Sequence, residues 1–490
     1  MRCFLGWIGR NQFGLIGALV VTLLASIPVY SIRYLPSIDG PNHWMIVKVV
    51  IETLRGRNPG WELVFVPGYK LFYYVNTPLF FLAELIGFRP TALPSLSTIF
   101  LHFLFATLVG LKLISVLNNK AERSEKLSYI LGIVLSLSTT FFASLALYSS
   151  AYYWGFIGFV YSVPFTVLTI LVFEDCMAFF DHSKFVALAL LLFLSYTAHP
   201  LSLFFLTTWV LIRMIMYYIM EAAKGSKISL KSSRPFGSFF ICVFVLAILH
   251  QVSFPKVVGL DFENIVQSWL HPFRPIPEVY YYLKGVFLRA DGFTAGYVEN
   301  PNVYTLLGLV LLMGSTLLNF ILGGWRASSF QINLTIIFFL LINAFFIHDI
   351  LPAHYPIGVF YRERLPTICF PIAFTIAGYS IIANQQIMKN WIIVASIIIV
   401  VLFGAIYHTW TLYKDFDRFN TLSQKVYIEM ISEPKWNKDY ANSIYFYNQF
   451  YYRFGEHFHQ YACLHDRICK EKLFHESLPD FGIYPLRPTR

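Results

Sequence analysis

Apolar residues run along this chain in long blocks, not in the short alternation of a water-soluble sheet protein. Stretches of about 17 to 25 predominantly apolar residues recur, each long enough to cross a hydrocarbon core roughly 30 Å thick as a helix. Helices are the economical spanning form, because lipid offers the backbone no hydrogen-bond partner and an open sheet would leave its edges unpaired. The pattern predicts spans near 13–31, 93–117, 127–147, 155–173, 185–197, 201–220, 236–253, 304–322, 332–348, 365–382 and 391–411. The predicted fold class is therefore an all-α polytopic membrane protein of about 11 transmembrane helices.

Two regions depart from this pattern. The loop 32–92 is rich in Pro, Gly, Trp and Tyr, and within it Trp44, Val47, Ile51 and Leu54 recur at helical spacing with Lys48, Glu52 and Arg55 opposite. That is the period of an interfacial helix lying along a membrane. Asn76 to Phe88 is also apolar, but Glu84 interrupts it and it is nearer the length of an interfacial or re-entrant segment. The tail 412–490 is too polar to enter a bilayer. Lys414 to Ile431 can continue the last span as an amphipathic helix, and the aromatic Ser443 to Tyr452 reads as a strand. A tail this small is marginal as an independent core, so a small α/β or irregular cap leaning on the outer loops is expected. Two domains result: a membrane domain over 1–411 and an extracytoplasmic tail domain over 412–490.

Charge orients these spans. The basic residues of Lys120 to Lys126, together with Lys224, Lys227, Lys231 and Arg234, fall on the same side as the amino terminus when Asn76 to Phe88 does not cross. By the positive-inside rule that side is cytoplasmic, which puts the 32–92 loop and the tail outside. Counting Asn76 to Phe88 as a span would put both basic connections outside, so it is read as non-crossing. Met1 to Asn11 leads into an apolar run longer than a signal-peptide core, so the first helix is expected to be retained.

Composition agrees: 57% of residues are hydrophobic and 13% charged, where a soluble surface needs about a quarter charged. The net charge of +10 lies in loops and a tail beside membrane segments. Anionic membrane lipids are thus nearer partners than nucleic acid, which is set aside. Six cysteines are too few for a disulfide framework. Cys463 and Cys469, in the polar tail, are either an oxidised pair or two free thiols.

Candidate chemistry gathers on the predicted outer side. Asp39, in Ile38-Asp39-Gly40-Pro41, either caps a helix entry or serves as a general base on an acceptor hydroxyl or amine. His43 follows one helical turn later, on the same face, and two such residues alone do not make a metal site. His199 stands before Pro200 between two apolar runs. There it either meets a functional partner or bonds a freed carbonyl. The segment His348 to Pro366 holds His354, Arg362 and Arg364. Two arginines at the outer end of a helix suit a phosphate, and the alternatives are headgroup anchoring or pairing with Glu363 or Asp349. Lys70, near the end of the first loop, is a candidate cation of second rank, as are His271, Arg274 and Lys284. The tail's His457, His459 and His465 lack the spacing of a zinc site. There is no Gly-rich phosphate loop, Walker lysine or nucleophile elbow.

An inside amino terminus, one span, a long outer loop with an early Asp, interfacial helices and a second span entered through Arg89-Pro90-Thr91-Ala92-Leu93-Pro94-Ser95 together resemble the type-C integral-membrane glycosyltransferases. The resemblance covers about Met1 to Thr411 and is architectural more than motif-based. It implies transfer of a sugar from a polyprenyl-phosphate donor to a lipid, glycan or protein acceptor. It also implies a catalytic base in the first outer loop, which maps onto Asp39, and a carrier-phosphate contact near Arg362 and Arg364. The chain departs from the family in having a lone Asp39 with His43 and no Asp-X-Asp. No cofactor is certain, and a divalent cation stays an open question. The competing expectations are a transporter or flippase for a lipid-linked or amphipathic substrate, and another outer-face transferase such as a glycan ligase, a polymerase or an acyltransferase using His199.

Overall fold

The computed structural model describes residues 2–30, 32, seven positions between 43 and 55, 61–63, 71–88, 92–120, 126–149, 151–152, 156–225, 230–253, 303–325, 327–343, 361–432 and 483–485. Its helices are α1 Arg2–Ala25, α2 Leu71–Leu85, α3 Leu93–Phe105, α4 Leu111–Lys120, α5 Lys126–Leu145, α6 Ile157–Ala178 and α7 His182–Ala198. They continue with α8 Leu201–Ala223, α9 Leu230–Ser253, α10 Val303–Gly323, α11 Ser328–Leu341, α12 Tyr361–Ala383, α13 Gln385–Lys389 and α14 Trp391–Ser432. A π-helical segment, Ala106–Gly110, joins α3 to α4, so that Leu93–Asn118 serves as one long apolar helix.

Among the described residues, 8 helices are long and apolar enough to cross a membrane, and three shorter apolar ones accompany them at Gln12–Ala25, His182–Ala198 and Ser328–Leu341. Every predicted span overlaps one of these. The perimeter carries Ile16, Leu19 and Leu23 on α1 and Ile399, Phe403 and Trp410 on α14, all exposed. A surface so apolar matches lipid and not water. The chain is a multi-pass helical membrane protein.

Several expectations shift in detail. Helix α2 has 15 residues, and Pro78 lies inside it. Its Glu84, which interrupted the apolar pattern, pairs with Arg55, and so ties the preceding helical segment to α2. That segment is helical at His43, Trp44, Val47, Val50, Ile51 and Leu54. Its stripe does not face lipid as an interfacial helix would: Trp44, Val47 and Ile51 are fully buried in the bundle and only Leu54 is exposed. The predicted span 155–173 runs on to Ala178, because Glu174 and Asp175 find cationic partners in Arg213 and Lys112. The predicted span 332–348 starts earlier, at Ser328.

Helix α14 passes Thr411 without a break and ends at Ser432, as the amphipathic pattern of Lys414 to Ile431 predicts. Two short strands, β1 Trp61–Leu63 and β2 Ile483–Pro485, pair antiparallel with Trp61 opposite Pro485 and Leu63 opposite Ile483. The end of the tail is thereby joined to the first loop. Ser443 to Tyr452 lies outside the described residues, as do Cys463, Cys469 and the three tail histidines.

Two helices form the centre. The apolar window of α12 is wholly buried and that of α6 is 83% buried. Helix α12 packs on α5, α6, α10 and α11, and glycine makes one of these approaches close. A Cβ at Gly308 of α10 would stand 2.0 Å from the Phe374 ring, which itself packs on Phe142 and Tyr304 at 4.9 and 5.6 Å between centroids. Gly308→Val is expected to lower stability by about 1–3 kcal/mol through overpacking, seen as a lower Tm in detergent. Adding Phe374→Leu should restore part of it, and an unchanged Tm for Gly308→Val would contradict this packing.

Candidate functional site

The first residues of α6 organise one end of the bundle. Phe159 meets the His199 ring edge-on at 5.4 Å between centroids. The Arg364 guanidinium lies 5.7 Å from the same Phe159 ring and 4.4 Å from that of Phe156. The structure thus brings together two candidate site residues that lie 165 residues apart by their numbers, 364 − 199. A cation over an aromatic face is held by the ring quadrupole, and more strongly where water is excluded.

His199 is placed by its backbone. It ends α7 in an extended conformation, and its N–H donates to the Ser195 carbonyl at 3.0 Å. Leu201 N–H donates to His199 Nδ1 at 3.2 Å, so Nδ1 is unprotonated and a neutral ring carries its proton on Nε2. Burial, reinforced by the Arg364 charge, holds the His199 pKa well below its ordinary value. Arg364 is placed by α12. One turn further on, Thr367 Oγ1 accepts from the Ala151 N–H at 3.2 Å and bonds the Ser149 hydroxyl, which anchors the start of α12 to the turn before α6.

His43 belongs to a neighbouring cluster. Its Nδ1 stands 2.5 Å from the Tyr73 hydroxyl, and its ring meets Phe72 edge-on at 6.0 Å. Phe72 packs on Tyr161 at 5.2 Å, two residues beyond Phe159 on α6. The Tyr161 hydroxyl donates to the Ser97 carbonyl at 2.8 Å and lies 3.3 Å from Asn76 Oδ1. Next to it, the Thr98 hydroxyl bonds that of Tyr152 at 2.9 Å. A buried band of hydroxyls therefore runs from α2 across α3 to α6. Sequence reasoning missed Tyr73, Tyr152 and Tyr161, since a Tyr in an apolar run reads as packing. The available signal was their phenolic oxygens, each of which needs a partner when buried.

Burial pushes the His43 pKa down to about 4. The ordinary value near 6.5 applies in the unfolded chain, so the neutral ring belongs to the folded state. Its stabilising contribution is complete above about pH 6.5 and is lost as pH falls towards 4, a difference of roughly 3 kcal/mol at most. His199 acts with the same sign. Tm measured from pH 7 to pH 4 is expected to fall, and less steeply in His43→Gln. An identical slope in the variant would remove His43 from this account.

Asp39, Lys70 and His354 lie outside the described residues, and the Arg362 side chain does too, although its backbone is in α12. Among the described residues no group of three His, Cys, Asp or Glu side chains could hold a metal ion.

The opposite end of α6 carries charge of another kind. Arg213 Nε donates to the two carboxylate oxygens of Glu174 at 3.0 and 3.2 Å, with both side chains buried. Lys112 pairs with Asp175 beside them. No protein-family model, curated protein or solved structure matches the chain, so the functional reading rests on these residues and on the architecture.

Proposed function

We propose that this protein is a membrane glycosyltransferase that moves a sugar from a polyprenyl-phosphate donor to a lipid, glycan or protein acceptor on the extracytoplasmic face. In this reading the eight long and three shorter apolar helices make eleven crossings, the amino terminus is cytoplasmic, and the first loop and the tail lie outside. The observation that carries the proposal is the meeting of His199 and Arg364 on Phe159, at the helix start that also receives the His43 cluster. A phosphate at headgroup depth needs a fixed cation in partly dry surroundings, and Arg364 over two aromatic rings has that character.

The chemistry follows from the donor. When the bond from the anomeric carbon to the phosphate oxygen breaks, negative charge grows on the leaving phosphate, and Arg364, with Arg362, stabilises it. The bond that forms joins the anomeric carbon to the acceptor oxygen or nitrogen, whose proton passes to the Asp39 carboxylate. Direct displacement from the opposite side inverts the anomeric configuration. Wild type given a labelled polyprenyl-phosphate sugar is expected to release carrier phosphate and form an inverted glycosidic product. Retained configuration, or no turnover with any donor by well-folded protein, would overturn the proposal.

One observation favours the second reading, a transporter or flippase: the buried Glu174–Arg213 pair at the other end of α6, since intramembrane ion pairs mark translocation routes as well as structural joints. That reading predicts movement of the lipid-linked substrate across vesicles without a new glycosidic bond, and tolerance of Asp39→Asn.

A further inference from the structure

One histidine in the core is not absorbed by the candidate site. His102, on α3, is completely buried, and neither of its ring nitrogens meets a hydrogen-bonding group among the described residues. Just after α1, Ser26 is also completely buried, and its hydroxyl is unpaired among the described residues. Tyr148 joins the two: its ring lies 4.7 Å from that of His102, and its hydroxyl donates to the carbonyl of Ala25, the neighbour of Ser26, at 3.0 Å. A neutral imidazole presents one donor and one acceptor, and a serine hydroxyl presents both. Left dry, each would carry its full desolvation penalty, whereas a phenylalanine in place of His102 would carry none.

Two further features single out this locus. Thr98, one helical turn before His102 on the same face of α3, bonds Tyr152, and Tyr152 packs edge-on against Tyr148 at 5.3 Å. His102 therefore lies at the inner end of the band of hydroxyls that begins at Asn76 and Tyr161. Immediately beyond it the helix changes to the π form, and the Ala106 N–H turns towards both the His102 and the Phe103 carbonyls. Single π turns of this kind are rare and are frequently found at functional positions.

We propose that His102, Ser26 and Tyr148 enclose an internal site that binds water. Water fits because it both donates and accepts, and a buried molecule needs two to four polar partners, a number that the two His102 nitrogens and the Ser26 hydroxyl can supply. A divalent cation does not fit, since a single imidazole with neutral hydroxyls supplies neither the ligand number nor the charge. The site extends the polar band inward from the candidate site, and it stands whether or not the protein transfers sugars.

X-ray radiolysis of the intact protein in detergent tests this directly, because hydroxyl radicals formed from a bound water label the side chains that touch it even when these are buried. His102 and Tyr148 are expected to be labelled several-fold faster than Tyr161, which is equally buried but whose hydroxyl is bonded within the protein. His102→Phe is expected to lower Tm, since it removes the water's partners. Labelling no faster than at Tyr161 overturns the proposal, and so does a higher Tm for His102→Phe, which is the behaviour of a dry pocket relieved of unpaired nitrogens.

Discussion

Asp39→Asn is expected to leave sugar transfer at about one hundredth to one ten-thousandth of the wild-type rate, the usual loss when a positioned general base is removed. The substitution separates the two roles that the local sequence allows. Asn caps a helix entry about as well as Asp does, so a residue that only capped would tolerate the change. A base cannot, because a neutral amide takes up no proton from the acceptor. Carrier phosphate released in single turnovers should fall in kcat and kcat/KM together, since the missing interaction exists only in the transition state. Donor affinity should change little, because Arg362 and Arg364 hold the phosphate in this reading. Asp39→Ala gives the complement, losing both cap and base. Near wild-type turnover in Asp39→Asn, with Tm lowered only in Asp39→Ala, would reduce Asp39 to a cap and remove the catalytic reading.

Glu174→Ala should destabilise the bundle by about 3–5 kcal/mol, the range for a buried ion pair that loses one partner. The geometry explains the size. Arg213 lies within α8, buried, with its Nε turned to both Glu174 oxygens at 3.0 and 3.2 Å, while its Nη1 is also buried and has no acceptor among the described residues. Without the carboxylate, a guanidinium would stand uncompensated in the interior. Replacing both residues, as Glu174→Leu with Arg213→Met, should recover most of the loss, because a packed apolar pair needs no desolvation. Asp175→Ala offers the contrast. Its partner Lys112 and Asp175 itself keep side-chain exposures of 16% and 26%, so water screens the separated charges and the effect should be small. Thermal unfolding in detergent checks all four proteins. A double variant as unstable as Glu174→Ala would show that packing volume, and not charge, sets the penalty.

The candidate site was only partly legible in the sequence. His199 and Arg364 stood out because an ionisable side chain is conspicuous beside apolar runs, and the prediction that they share an end of the bundle follows from counting spans between them. Their common partner, Phe159, was not legible, since one Phe among 49 carries no local mark. Likewise His43 was noticed for its spacing from Asp39, whereas its actual neighbours come from Phe72 and Tyr73 on a helix that the pattern treated as a peripheral piece. Glu84 was read as a defect in an apolar run, and Arg55 supplies the partner that explains it.

By itself the sequence determined the placement of the apolar helices and the continuation of the last helix into the tail. These are one-dimensional properties: the thickness of a bilayer sets the length of an apolar run, and helical period sets the face on which polar residues fall. Tertiary structure alone decided which polar groups meet. Arg213 finds Glu174 across 39 residues, Tyr161 finds Ser97 across 64, and Ser149 finds Thr367 across 218, while the unpaired nitrogens of His102 find no partner among the described residues at all. The physical reason is that hydrophobic burial is non-directional and any apolar neighbour satisfies it. A hydrogen bond or ion pair needs one particular atom at one distance and angle, and only the packed bundle supplies it.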